Sequence, residues 1–271
     1  MERVASFSLL ILVIIGIIKT KPLDAQNVIG ARAVSLGQAS TALPNEEWAV
    51  FSNPALMSSK NKSVSFFGIR YYGFAELTDM AASVNYPTGW GTLGAGAHRY
   101  GYDLFNRSRI RVAYKNSFQL FHYGAVLNYS HVSQGGGYGS AGAVGLDVGI
   151  AAVLFKGGWI GARATNINQP NYGNTDEVLP RELAIGLSYQ LSDIALLSSD
   201  VVKDVRFPIS YRGGIEVYIF ESFTARAGIT TEPVTFSGGF GYESDIWQIN
   251  VVAQNHTDLG ISPGLDLSIK W

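Results

Sequence analysis

Apolar and polar residues alternate along most of the chain after Lys62, in segments of about ten residues. Side chains of a β-strand point to opposite faces with period two, so this pattern predicts strands with one apolar and one polar face. The final segment is the clearest case, and its apolar face holds Leu265, Leu267, Ile269 and Trp271. Its polar face holds Asp266, Ser268 and Lys270. Gly, Asn, Asp and Pro separate the segments, as expected for hairpins.

The spacing of these segments predicts an all-β, antiparallel transmembrane β-barrel of about fourteen strands. Roughly 15 residues are available for each strand with its turn, which fits a membrane strand of about 9–11 residues and a connection of about 4–6. Such a barrel has a backbone diameter of roughly 28 Å, too wide for its own side chains to fill. Residues 26–61 do not alternate, and we predict that they form a small N-terminal hatch that plugs the barrel of residues 62–271.

Residues 1–25 have the pattern of a signal peptide. Arg3 precedes an apolar run from Ala5 to Ile18, which matches the roughly 7–15 residues of a signal core better than the roughly 20 of a spanning helix. We expect cleavage near Ala25 and a mature protein in the bacterial outer membrane. An uncleaved N-terminal anchor is the alternative.

The composition further limits the class of protein to which the chain can belong. Charged residues make up 15% of the chain, against roughly 25% in soluble domains, and no long apolar run follows residue 25, which excludes a bundle of membrane helices. The net charge of −1 suggests no nucleic-acid partner. The chain has no cysteine, and its four histidines lack metal-ligand spacing. We therefore predict neither a metal nor a cofactor.

The hatch segment is rich in small residues suited to close packing. Asn45 is placed to cap a short helix, with Glu46 and Glu47 in its first turn. Asn53-Pro54 should end that helix, because a residue before proline avoids helical geometry.

Three arginines, Arg107, Arg109 and Arg111, share one face of a predicted strand. A charge facing the bilayer midplane costs about 2–4 kcal/mol, so this face should line the lumen or lie near an interface. One interpretation is a basic stripe for an anionic ligand such as a carboxylate. The other is ion pairing inside the lumen with carboxylates such as Glu216, or Glu46 and Glu47 of the hatch.

Other strands repeat the pattern of a polar inner and an apolar outer face. Further candidates for the lumen lining are Arg212, Glu216, Arg226, Gln248 and Asn250. Aromatic rings favour the membrane boundary, and we predict such a girdle from tryptophans near strand ends: Trp90, Trp159, Trp247 and Trp271.

The hatch resembles that of FadL-type outer-membrane barrels, most closely the PorV/PorQ-like branch. The resemblance lies in Gly30-Ala31-Arg32-Ala33, Leu36-Gly37 and Asn53-Pro54-Ala55-Leu56, and weaker strand motifs extend it over most of the mature chain. The hatch-motif residues are Gly30, Arg32, Gly37, Asn53, Pro54 and Ala55. The final strand is similar to the closing strand of bacterial barrels, which implies that Leu265, Leu267, Ile269 and Trp271 form an assembly signal. Outer-membrane lipid and the barrel assembly machinery are then the expected partners.

The resemblance implies an accessory role in type IX protein secretion and surface attachment, with secretion-system components as partners. The alternative is a FadL-like channel for hydrophobic small molecules, with a hydrophobic ligand as partner. A secreted soluble β-protein is a second alternative, and it requires a polar outer face on most strands. His131 and Ser133 share a strand face as a catalytic pair could, but no orienting acid can be assigned. We therefore predict that the chain is not an enzyme.

Overall fold

A single antiparallel β-sheet closes on itself to form a barrel of fourteen strands. The computed structural model describes residues 28–136, 139–173 and 175–271. The predicted signal peptide lies outside these residues. Each strand pairs with its neighbours in the sequence, and the first strand pairs with the last. The predicted fold class and strand number are therefore confirmed.

The strands differ in length, and their bounds are as follows. They are β1 (Ser63–Arg70), β2 (Thr78–Thr88), β3 (Gly91–Gly101), β4 (Phe105–Phe118), β5 (Phe121–Gln134), β6 (Gly139–Phe155), β7 (Gly158–Ala164), β8 (Glu182–Ser192), β9 (Ala195–Asp204), β10 (Ile209–Phe220), β11 (Phe223–Thr231), β12 (Val234–Glu243), β13 (Trp247–His256) and β14 (Gly260–Lys270). We call the end where β1 begins and β14 ends the terminal end, and the opposite end the loop end. No helix in the described parts of the chain is long and apolar enough to span a membrane.

The two faces of the barrel wall follow the alternation of the sequence. In β14, Asp266 and Ser268 are buried on the inner face, whereas Leu265 is 56% exposed on the outer face. Large apolar side chains are exposed along nearly every strand, so the outside of the barrel is apolar. This outer surface is the opposite of what a secreted soluble β-protein requires.

Closure depends on the pairing of β14 with β1. Ser63 lies opposite Lys270, and Phe66 lies opposite Leu267. Inside the barrel, the hydroxyl groups of Ser65 and Ser268 are 2.7 Å apart.

Residues 28–61, which we call the hatch, lie inside the barrel and are almost entirely buried. They contain a five-residue helix, α1 (Ala31–Ser35), and two 3₁₀ turns at Ala49–Phe51 and Pro54–Leu56. The predicted helix after Asn45 is wrong, because Asn45 has a left-handed φ of 54°. Glu46 and Glu47 also point to different partners, Arg32 and Lys270.

The predicted tryptophan girdle holds only in part. Trp90, Trp247 and Trp271 are exposed near strand ends, and Trp90 stacks on Tyr114 with ring centroids 5.6 Å apart. Trp159 instead packs against the buried cluster inside the barrel. The prediction for Trp159 was wrong because the position of a ring at a strand end does not reveal which face it occupies.

We expect a charge on the outer face of the closing strand to block assembly. Leu267→Lys places an ammonium in the lipid-facing belt at a cost of about 2 kcal/mol or more, whereas Leu267→Phe keeps the face apolar. The amount of barrel in outer-membrane fractions, measured by its heat-modifiable gel mobility, should fall strongly for Leu267→Lys alone. Equal amounts for both variants would contradict the outward orientation of Leu267.

Candidate functional site

The hatch is fixed to the wall through its own backbone. Asp266 of β14 accepts a hydrogen bond from the backbone nitrogen of Ala31 at 2.7 Å. Asp200 of β9 accepts three, from the backbone nitrogens of Ser40 and Thr41 and from the Thr41 hydroxyl, at 2.7–3.0 Å. Both carboxylates are buried, and backbone amides of the hatch donate hydrogen bonds to each of them inside the barrel.

An ion-pair network holds the first part of the hatch. Arg32 donates to both carboxylate oxygens of Glu216 at 2.9 and 2.8 Å, and its guanidinium lies 3.2 Å from Glu46. On the wall side, Arg226 also donates to Glu216. Arg226 contacts Asn250 at 2.8 Å. The wall therefore presents a bidentate carboxylate to a hatch arginine, the geometry in which such pairs are strongest.

Burial shifts the titration of the hatch carboxylate in this network. Desolvation raises the pKa of Glu46 to about 7, although the charge of Arg32 opposes the shift. Burial also disfavours the charge of Arg32, but Glu216 outweighs this and raises the pKa of Arg32 well above its usual range. Arg32 therefore stays charged, while Glu46 titrates near neutral pH.

Glycines on the inner face let the hatch lie directly against the wall. A Cβ atom at Gly214 would lie 2.6 Å from the Cα atom of Leu36, and one at Gly228 would overlap the backbone nitrogen of Gly37. At Gly213, on the outer face, the nearest atom would be 3.8 Å away. The close approach of hatch and wall is thus confined to inner-face glycines.

An apolar strip continues from the hatch up the inside of the barrel. Trp48 of the hatch packs edge-on against Phe67 of β1, with ring centroids 5.8 Å apart. Ile69 and Tyr71 extend this buried cluster toward the loop end, where Tyr100 packs against it. We use the name apolar strip for Trp48, Phe67, Ile69, Tyr71 and Tyr100. Much of the remaining inner surface is polar.

A recess that is partly open to solvent lies between the wall and the loop of residues 165–181. Strand β4 supplies the three arginines that the sequence places on one face, Arg107, Arg109 and Arg111. The other lining residues are Asn128, Ser130, Asp147, Asn166, Tyr172, Leu179 and Pro180.

Hydrogen bonds around Asp147 organise the floor of the recess. Arg111 forms an ion pair with Asp147. Asp147 also accepts from the side-chain amide of Asn128 at 3.0 Å and from the backbone nitrogen of Asn166 at 2.7 Å. On its other side, the Arg111 guanidinium lies over the ring of Phe51 in the hatch, 5.5 Å from its centroid.

Arg109 has a different environment. Its Nε donates to Nδ1 of His98 at 3.3 Å, and Nε2 of His98 contacts Asp79. A neutral imidazole with its proton on Nε2 satisfies both contacts. Among the described residues, no carboxylate lies within ion-pair distance of Arg109.

The predicted ion-pair partners of Arg109 and Arg111 were wrong. Glu216 binds Arg32 and Arg226, while Glu46 and Glu47 bind Arg32 and Lys270. The reason is position around the barrel, because Glu216 lies on β10, far from β4 in the strand order.

The loop of residues 165–181 replaces a missing part of the wall. Strand β6 has 17 residues and β7 has 7, so β7 pairs with β6 only from Val148 onward. Toward the loop end, Ile167 and Gly173 of the loop donate backbone hydrogen bonds to Leu146 and Gly142 of β6 at 2.8 and 3.0 Å.

The remaining candidate residues fall into separate groups. Arg212, Glu216, Arg226, Gln248 and Asn250 are all buried on the inner face, but none of them lines the recess. Arg212 lies 4.0 Å from Glu182, which also pairs with Arg163.

The hatch-motif residues shape the plug. Gly30 and Gly37 have positive φ values of 106° and 63°. The Asn53 side chain accepts a hydrogen bond from the backbone nitrogen of Ala55 and donates to Ile150 of the wall at 3.1 Å, and Pro54 begins the second 3₁₀ turn.

Sequence reasoning missed several residues that form contacts inside the barrel. Asp147 of the recess and Asp200 beneath the hatch are single acids within alternating strands, and their inward phase was the signal that could have revealed them. The candidate pair His131 and Ser133 lies on the outer face, in phase with Leu127 and Tyr129. No group of three or more metal-ligating side chains occurs within residues 28–136, 139–173 and 175–271.

Comparison with known proteins shows likeness in structure only. No protein-family model matches the chain, and no curated protein is similar to it in sequence. The toluene transporter TodX of Pseudomonas putida superposes with a TM-score of 0.64 at 12% identity, covering 91% of this chain and 99% of that chain. The outer-membrane protein Omp33 of Acinetobacter baumannii gives 0.53 at 7% identity, covering 79% and 100%. The chain thus has the fold of outer-membrane barrels, and its PorV/PorQ resemblance remains unconfirmed.

We expect a methyl group at Gly228 to displace the hatch, because the wall would then collide with the backbone of Gly37. In planar bilayers, Gly228→Ala should show a several-fold higher conductance than the unaltered protein. Gly213→Ala, on the outer face of the neighbouring strand, is the matched control and should change nothing. Unchanged conductance of Gly228→Ala would argue against a plugging role for the hatch.

We expect the docked hatch to weaken as the pH rises. The pKa of Glu46 is raised from its ordinary value of 4.5 to about 7 in the folded protein. Proton binding to Glu46 therefore stabilises docking, fully below about pH 4.5, and this contribution is lost as the pH rises through about 7. Channel-opening events should become more frequent between pH 5 and 8, and Glu46→Gln should flatten this dependence. Glu76→Gln, in an exposed loop, should keep the slope of the unaltered protein; an identical slope for all three would refute the role of Glu46.

Proposed function

We propose that the protein is a channel of the bacterial outer membrane for small apolar molecules, closed at rest by its hatch. The observation that carries this proposal is the plug itself, a folded segment hydrogen-bonded across the inside of a fourteen-stranded barrel. An unplugged barrel of this width would pass polar solutes indiscriminately. The apolar outer belt supports a location in the membrane.

The apolar strip supports a hydrophobic ligand. Phe67, Ile69 and Tyr71 belong to a buried apolar cluster that extends from the loop end down to Trp48 of the hatch, within a lumen that is otherwise largely polar. An apolar solute that enters from the loop end would be transferred more favourably into contact with this cluster than into contact with the charged side chains elsewhere on the inner face. TodX, which shares the fold, is described as a toluene transporter, and this favours the same broad class of substrate.

The accessory role in type IX secretion stays a prediction from the PorV/PorQ resemblance. It needs a large outer surface that binds other proteins, and most connections in this barrel are short turns. We therefore give preference to the channel.

Toluene uptake by cells tests the channel. We expect cells that produce the protein to take up labelled toluene faster than cells without it, and Phe67→Asn to reduce the difference several-fold. Phe67→Asn interrupts the apolar strip on the inner face. Phe66→Leu, the neighbouring lipid-facing position, is the matched control and should leave uptake unchanged. Uptake no faster than in cells without the protein would overturn the proposal, provided that gel mobility shows a folded barrel.

A further inference from the structure

We propose that the recess beneath the loop of residues 165–181 binds a small organic carboxylate. The proposal concerns binding alone and goes beyond the channel function, since it holds whether or not the bound molecule crosses the membrane.

Charge is the first argument. The recess is lined by three arginines and one carboxylate, Asp147. Arginines at alternate positions of one strand have Cα atoms roughly 7 Å apart, so their charges repel each other at close range. Arg111 is only 3% exposed, and water can therefore screen it little. An anion in the recess would relieve this repulsion.

Incomplete pairing is the second argument. Asp147 is shared among Arg111, Asn128 and the backbone of Asn166. Arg109 reaches Asp79 only through the neutral ring of His98. Within the described part of the chain, the buried Nε of Arg111 has no hydrogen-bond partner. A buried donor without an acceptor costs about 1–3 kcal/mol, and a carboxylate oxygen would satisfy it.

The apolar side of the recess identifies the kind of anion. Tyr172 and Leu179 belong to a small buried cluster with Ala143, and Pro180 completes this side. An inorganic ion would make no use of these side chains. A carboxylate with a short apolar body would place its oxygens on the guanidinium groups, whose paired N–H donors match carboxylate geometry, and its body on Leu179.

Isothermal titration of the full-length protein in detergent, with benzoate as the probe, tests the proposal. Benzamide, its neutral analogue, controls for partition into the micelle, and inorganic phosphate tests for a general anion site. We expect benzoate to bind with a stoichiometry of one and benzamide not to bind.

Two arginine variants separate a local site from overall charge. Arg109→Gln should weaken benzoate binding about tenfold or more, because it removes a charge-assisted hydrogen bond. Arg99 lies on β3 opposite Ser108, beside the same stretch of β4, but is exposed on the outer face. Arg99→Gln removes the same charge outside the barrel and should leave benzoate affinity unchanged.

Leu179→Ala provides a variant that leaves every strand intact, should Arg109→Gln fail to assemble. It should weaken benzoate binding several-fold by removing apolar contact. The proposal is overturned if the unaltered protein does not bind benzoate, if phosphate binds as tightly as benzoate, or if neither Arg109→Gln nor Leu179→Ala weakens binding.

Discussion

Fourteen strands enclose a lumen that their own inward side chains cannot fill, and the hatch occupies the space that they leave. Its backbone amides donate hydrogen bonds to Asp200 and Asp266 of the wall. Its carbonyls accept hydrogen bonds from wall hydroxyls such as those of Ser198 and Thr230. Polar groups inside a protein need such partners, and wall and hatch supply many of them to each other. The polar inner face of the barrel thus finds hydrogen-bond partners in the hatch that it surrounds.

The bidentate ion pair of Arg32 with Glu216 is a strong contact between the hatch and the wall. A bidentate ion pair buried between two parts of the molecule costs several kcal/mol to break from one side, because a charge is left without its partner. The same property makes docking selective, since few other placements of the hatch would bring a guanidinium to Glu216. Inner-face glycines such as Gly214 and Gly228 make docking selective in a second way, because only a residue without a side chain leaves room for the backbone of Leu36 and Gly37.

The fold could be predicted because alternation with period two is a local property of the sequence, and strand spacing then sets the barrel size. The inward direction of Arg107, Arg109 and Arg111 followed from the cost of exposing a charge to lipid. Their partners could not be predicted, because Asp147 lies 36 residues from Arg111 in the chain and meets it only through strand register. The loop residues Tyr172, Leu179 and Pro180 could not be placed in the recess, because their part of the sequence has no hydrophobic period. The path of the hatch could not be predicted either, because it depends on contacts with strands that come later in the chain.

The hatch and its anchors on the wall are far apart in the sequence. Arg32 meets Glu216 across 184 residues, and Ala31 meets Asp266 across 235. The hatch is made before any strand, yet none of these acceptors is in place until the second half of the barrel has formed. Closing such long loops is slow, so we expect the hatch to reach its native position late in folding. Until the hatch docks, Trp48, Phe51 and their apolar neighbours would lack the wall contacts that bury them, and exposed apolar segments of this kind are what chaperones bind.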